Sequence, residues 1–232
     1  MVSAHSADFV WRAGGAIALS AKAGHPVHVV CLSYGERGES QGLWRKEGMT
    51  IEKVKQARED EARQAADILG AEITFYDMGD YPLTPDRAAA DRLVEDMRRV
   101  QPGVILTHVE RDPYNLDHCF AHELALRCRM VAQAAGHPSA HPPIGAPQVL
   151  CFEPHQPEQC HFKPDLLLDI TEVFDLKRAA MAAMGGAQGH LVDYYTDLGT
   201  RRGVQYRRNG GVGAEHAEAY ESIFPTVATA IV

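Results

Sequence analysis

Four short stretches of this chain carry the residue types that metal and acid–base chemistry need. His5-Ser6-Ala7-Asp8 spaces an imidazole and a carboxylate three residues apart, and Asp112-Pro113-Tyr114-Asn115-Leu116-Asp117-His118 ends on a second such pair. Imidazole and carboxylate together suit Zn²⁺ with one position left open for water, so ligands drawn from both stretches would make a catalytic site and not a closed structural one. Tyr34-Gly35-Glu36-Arg37-Gly38-Glu39 sets charges of both signs beside glycines that permit a tight turn. Cys151 to Gln159 (CFEPHQPEQ) holds His155 between two prolines, and an imidazole with an ordinary pKa near ~6.5 can move protons at neutral pH. Each stretch also has a plainer reading: a capped loop, a helix cap beside a surface histidine, a solvated charge run, and a structural loop histidine.

Each of the four falls at the end of a different strand, the first of them at the very start of the chain. Val27 to Ser33 (VHVVCLS), Ile73 to Tyr76, Val104 to Thr107 and Val149 to Phe152 read as short buried strands. Between them lie helical stretches: Thr50 to Leu69 with Gly70 as its stop, Pro85 to Val100 with Thr84 as N-cap and Pro85 in the first helical position, His118 to Ala135, and a C-terminal helix opening at Asp175 to Met184. Strands that alternate with helices predict a mostly parallel α/β sheet covered on both faces, a three-layer α/β/α fold. Ligands of such sheets bind at the carboxyl ends of the strands, where all four stretches fall. His5 must follow a first strand, yet only Met1 to Ala4 precede it, so that strand is very short or the start is a late one. Gly136 to Pro147 reads as a surface loop, and Gly185-Gly186 and Arg207 to Gly213 as flexible turns. Residues 1–232 read as one domain.

Composition narrows the partners. The net charge is -8 with a pI of 5.8, which disfavours nucleic acid and anionic membrane. Five cysteines without a C-x-x-C spacing argue against a disulfide framework or zinc ribbon and suit a reducing cytoplasm. There is no run of the ~20 apolar residues that would span a bilayer and no secretory signal pattern.

The pattern resembles the LmbE/PIG-L family of zinc hydrolases. Ala4-His5-Ser6-Ala7-Asp8-Phe9 matches the family's A-H-P-D-D-E motif, and Asn115-Leu116-Asp117-His118 its H-P-D-H motif. Gly14-Gly15, Gly35-Glu36-Arg37-Gly38, Arg58 with Glu61, and Leu69-Gly70 extend the likeness over nearly the whole chain. Carried over, the resemblance implies Zn²⁺ on His5, Asp8 and His118. The family's general base falls on Ala7 here, its glutamate on Phe9 and its first H-P-D-H histidine on Asn115, which disfavours de-N-acetylation.

Those departures, together with the strings from Ala4 to Gly15, Gly35 to Ser40, Asp112 to Asn115 and Phe152 to Cys160, resemble a branch of the family, the 4-oxalomesaconate hydratases of gallate and protocatechuate breakdown. The resemblance implies addition of water to 4-oxalomesaconate, or to its enol 4-carboxy-2-hydroxymuconate, giving 4-carboxy-4-hydroxy-2-oxoadipate. With Ala7 unable to act as base, Glu39 and His155 are the acid/base candidates. Arg12 and Arg37 are the cations nearest in sequence for a small polycarboxylate substrate, and His108, Tyr114 and Asn115 are candidates to line the pocket. A zinc N-deacetylase with a relocated base is the competing reading, and a binding protein that has lost catalysis is the third. Enzymes of this fold often associate, so a homo-oligomer is expected, with Tyr194 to Tyr220 packing on a neighbouring subunit or covering the site.

Overall fold

The computed structural model describes residues 1–84 and 86–227. β1 (Val2–Ser3), β2 (His28–Cys31) and β3 (Glu72–Phe75) form an all-parallel sheet in the order β1-β2-β3. β4 (Val104–Thr107), β5 (Gln148–Phe152), β6 (Leu166–Asp169) and β7 (Ala217–Ser222) form a second sheet in the order β4-β5-β7-β6, in which only β7 runs against its neighbours. β1 touches β4 where the two sheets meet. The helices are α1 (Asp8–Lys22), α2 (Gln41–Trp44), α3 (Ile51–Leu69), α4 (Arg87–Val100), α5 (Leu116–Gln133), α6 (Phe174–Ala183), α7 (Gly185–Gln188) and α8 (Leu191–Arg208).

The alternation of side chains along β2 shows the three layers. Val29 and Cys31 face a cluster built with α1, α3 and α6, including Phe9, Ile17, Ala66 and Met181. Val30 and Leu32 face the opposite way, into a cluster with Leu93 and Met97 of α4 and Leu124 and Ala125 of α5. The mostly parallel α/β/α arrangement expected from the sequence is therefore the observed one. No helix of the described residues is long and apolar enough to cross a membrane.

Helix boundaries follow local chemistry. Thr50 caps α3 by accepting from the Lys53 amide, and Gly70 ends it at a φ of 77°, a left-handed conformation that glycine adopts without penalty. The expected cap at Thr84 is displaced: Asp86 caps α4, accepting from the Ala89 amide, because its carboxylate reaches the unpaired first-turn amides. Pro85, expected in the first helical position, lies outside the described residues. α5 starts two residues earlier than expected, with Asn115 as cap. β1 is two residues long, and backbone bonds from Val30, Leu32 and Ser33 to Met1, Ser3 and Ala4 carry its pairing up to the turn that holds His5. Tyr194 to Tyr220 supplies most of α8, of which Tyr195, Gly199 and Gly203 are buried, and the start of β7, whose Tyr220 is 1% exposed.

Candidate functional site

Turns after five strands converge on one cleft. The turn after β1 delivers His5, with Asp8 as the first residue of α1. The loop after β2 delivers Glu39, the loop after β3 delivers Asp80, and the loop after β4 delivers Asp112 and leads into His118 on α5. The chain after β5 delivers His155. The cleft measures about 210 Å³ and is lined by residues that include Asp8, Trp11, Arg12, Glu39, Tyr81, Asp112, Tyr114, Asn115, His118, His155, Gln188 and Tyr195.

At its floor, His5 Nδ1 lies 3.3 Å from Asp8 Oδ2 and 3.5 Å from Glu39 Oε1, and His118 Nε2 lies 3.5 Å from Asp8 Oδ1 and 4.0 Å from Glu39 Oε1. Ligand atoms on a tetrahedral Zn²⁺ at bond lengths of roughly 2.0–2.2 Å stand about 3.3–3.6 Å apart. The four groups lie close to that spacing, within 4.8 Å of one another, and could hold a metal ion. His5 Nδ1 and His118 Nε2 are buried without a hydrogen-bond partner, a costly state that a cation would relieve. On the far side, His118 Nδ1 lies 2.8 Å from Asp112 Oδ2, and His5 Nε2 faces Asp80 at 3.2 Å and Asp117 at 3.5 Å without forming a hydrogen bond. Such outer carboxylates orient metal-binding histidines and fix the tautomer.

The electrostatics point the same way. Asp8, Glu39, Asp80 and Asp117 surround His5. Burial alone would pull its imidazole down, but the facing carboxylates, Glu39 and then Asp117, Asp8 and Asp80, hold it well above the ordinary histidine value. Burial opposes ionisation of Asp8, and the imidazoles of His118 and His108 outweigh it, so its carboxyl sits well below the usual carboxylate range. Asp80, Asp112 and Asp117 are likewise held low against their burial by their histidine partners. A pocket this rich in anions repels a polycarboxylate unless a cation occupies its centre.

The remaining expected residues divide. Arg12 lines the cleft but is engaged, donating to Asp8 Oδ1 at 3.3 Å and to the Glu153 carbonyl at 3.4 Å. His155 lines it too. Tyr194 donates to the His155 carbonyl at 2.6 Å, its ring lies 4.4 Å from the imidazole, and burial followed by Arg12 lowers the imidazole pKa. Tyr114 is exposed at the mouth, and Asn115 donates to Glu39 Oε1 at 3.1 Å and to the Tyr81 hydroxyl at 2.7 Å.

Arg37 is not brought into the cleft. It is exposed, and it turns to the Asp80 carbonyl because its backbone amide is already drawn to the Asp80 carboxylate. His108 is buried behind the wall: its Nε2 accepts from the Ala4 amide and its ring stacks on His118 at 4.1 Å, so it supports the site without lining it. Asp117 is neither a cap nor a surface group, since its two oxygens accept from the Tyr81 and Leu83 amides. Sequence reasoning missed Asp80, Tyr81, Gln188 and Tyr195. A Gly-Asp-Tyr-Pro loop directly after a strand was the signal for the first two, whereas Gln188 and Tyr195 carried none.

Comparison with known proteins agrees with this geometry. Residues 1–129 match the model of the GlcNAc-PI de-N-acetylase (PIG-L) family. The chain is 54% identical over 231 residues to a 4-oxalmesaconate hydratase of Pseudomonas putida KT2440, covering 98% of this chain and 89% of that protein. It superposes on the crystal structure of GalB, the 4-carboxy-2-hydroxymuconate hydratase from Pseudomonas putida KT2440, with a TM-score of 0.96 at 53% identity, covering 99% of this chain and 97% of the other. The N,N'-diacetylchitobiose deacetylase of Pyrococcus horikoshii shares the fold, with a TM-score of 0.78 at 19% identity over 95% of this chain and 81% of that one. The chain thus belongs to the PIG-L family.

Proposed function

We propose that this chain is a metal-dependent hydro-lyase that adds water to 4-oxalomesaconate, or to its enol 4-carboxy-2-hydroxymuconate, giving 4-carboxy-4-hydroxy-2-oxoadipate. One observation carries the reading: four groups able to hold an ion lie together, while position 7, where the deacetylases of the resemblance keep their base, is a fully buried alanine. The identity to the Pseudomonas putida hydratases over nearly the whole chain supports it.

His5, Asp8 and His118 would hold Zn²⁺, and Glu39, expected as half of an acid/base pair with His155, sits among them and would join them instead. Both Glu39 oxygens receive amide N–H donors, from Asn115 at 3.1 Å and Gln188 at 3.1 Å. Bound there, a divalent ion supplies a Lewis acid and offsets the charge of the substrate. Proton transfer then falls to His155. Its lowered pKa keeps the imidazole neutral at neutral pH, the form that accepts a proton from water. The hydroxyl goes to the carbon bearing the third carboxylate, and the imidazolium returns the proton to the neighbouring alkene carbon, so no other reactant is consumed. Arg12, Asn115 and Tyr114 are the substrate contacts of this reading, with His108 acting from behind Asp8.

We treat residues 1–232 as one catalytic unit, working in the cytoplasm as a homo-oligomer; five free cysteines support the compartment, and molar mass in solution measures the assembly. The deciding experiment follows the ultraviolet absorbance of 4-carboxy-2-hydroxymuconate with purified protein and identifies the product by mass. Loss of absorbance with a gain of one water is the expected result. Release of acetate from N-acetyl sugars without hydration would overturn the proposal in favour of a deacetylase.

A further inference from the structure

Gln188 belongs to none of the motifs, yet its amide reaches the centre of the site. The side chain is buried, at 8% exposure. Its Oε1 accepts from Trp11 Nε1 at 3.1 Å and from Arg58 Nη2 at 3.3 Å. Both partners can only donate, so the amide has one allowed orientation. Nε2 must point the other way, where it donates to Glu39 Oε2 at 3.1 Å.

Arg58 is itself fully buried and fixed, donating to Glu61 at 2.8 Å and to the Tyr34 carbonyl at 3.4 Å. Two glycines allow α7 to come this close. A Cβ on Gly186 would stand 2.2 Å from Glu61 Oε1, and one on Gly42 would stand 2.8 Å from the Ala187 carbonyl oxygen. Of the Gly185-Gly186 pair that reads as a flexible turn, Gly186 is thus a close-packed position at the start of α7. It seats α7 against α2 and the Arg58–Glu61 pair, and so brings Gln188 to Glu39. On the other side, Asn115 is equally constrained, since its Oδ1 accepts from the Asp117 amide while its Nδ2 holds Glu39 Oε1.

We propose that Gln188 is a positioning residue for Glu39: by holding Oε2 it aims Oε1 at the facing nitrogens of His5 and His118 and thereby sets the affinity of the site for its divalent ion. This rests on the reading that Glu39 joins the ligand set. Gln188→Met conserves volume and removes both halves of the amide. The assay strips the protein of metal, titrates Zn²⁺ against a chromophoric chelator, and records the melting of the metal-free protein as a check on folding.

Loss of such an outer partner weakens metal binding by about 10–100-fold, and that is the expected effect of Gln188→Met. In a Glu39→Gln background the same substitution should change affinity by no more than about 2-fold, because a residue that acts through Glu39 has nothing left to act on. An affinity within about 2-fold of wild type for Gln188→Met, or equal losses in both backgrounds, would overturn the proposal. If Gln188→Met does not fold, Gln188→Asn is read by the same criterion, since it keeps the amide but is one methylene short of spanning Arg58 and Glu39. Wild-type protein that binds zinc but does not hydrate would sink the hydratase reading and leave this one standing.

Discussion

Replacing Asp112 with asparagine tests the metal site without touching a ligand. Asp112 Oδ2 lies 2.8 Å from His118 Nδ1, and its Oδ1 accepts from the Tyr114 amide at 3.0 Å. A carboxylate there can only accept, so it favours a proton on His118 Nδ1 and frees Nε2 for the ion. Asparagine has one acceptor and one donor end. If its oxygen serves the Tyr114 amide, its NH₂ meets His118 Nδ1 and drives the imidazole proton to Nε2, the atom that must bind the ion. If the amide flips, its NH₂ meets the Tyr114 N–H instead. The first arrangement removes the lone pair the ion needs, and the second leaves the Tyr114 N–H facing a donor, a cost of about 1–3 kcal/mol. That range overlaps the 10–100-fold affinity loss typical of outer-partner substitutions, about 1.4–2.7 kcal/mol. Zn²⁺ titration of Asp112→Asn against a competing chelator, with wild type alongside, should show a loss of that size with folding retained. Affinity within a factor of about 2 would show that Asp112 does not set the His118 tautomer, and the argument for the ion site would lose its second support.

Other outcomes follow from the same geometry. In the metal-free protein the neighbouring carboxylates hold His5 well above the ordinary histidine value, so it is protonated at pH 7 and must lose the Nδ1 proton to bind. Zinc uptake in weakly buffered solution at pH 7 should therefore acidify the medium, and affinity should fall as pH is lowered; uptake without proton release would refute this. His155→Ala should leave zinc affinity unchanged and slow hydration by about 10²–10⁴-fold in the absorbance assay. Because burial and Arg12 pull the His155 imidazole below its ordinary 6.5, the acid limb of kcat/KM for zinc-saturated enzyme should have its midpoint below that value, and a midpoint above it would argue against His155 as the base. Glu218 is buried with Lys177 at 2.6 Å and also accepts from the Gly15 and Ala16 amides and the Tyr220 hydroxyl. Glu218→Ala strands the lysine charge and should cost about 3–5 kcal/mol in urea unfolding, and less than about 1 kcal/mol would show that the network is not holding α1 to β7.

The sequence makes α5 and α6 legible to within about two residues, and most clearly the helices with a polar face and a marked end: α3 between Thr50 and Gly70, and α4 up to Val100. α1 escaped because Asp8 to Ala18 are all buried, so the segment has no polar face to set a period. α8 escaped for the opposite reason. It carries Gly199 and Gly203, which read as breakers, yet a Cβ on Gly203 would stand 2.1 Å from the Glu215 carbonyl oxygen, so close packing requires the glycine. β7 looks too polar for a core strand, but Glu218 and Tyr220 satisfy each other and their neighbours inside. At the site, motif-bound residues were legible because imidazole and carboxylate at strand ends have few other uses. Gln188 was not, since it acts by holding a neighbour, and nothing in a single sequence records which neighbour a side chain will meet.

The antiparallel strand β7 has a consequence for biosynthesis. It lies between β5 and β6, yet it is translated after both. Until residues 217–222 leave the ribosome, the Leu166-Leu167-Leu168 stretch of β6 has no strand to bond to, and one edge of β5 is bare. A nascent chain therefore presents two open apolar borders late in its synthesis, the kind of surface that recruits chaperones or seeds aggregates. Stalled or prematurely terminated copies should accumulate as insoluble material even though every residue of the ion site has already been made.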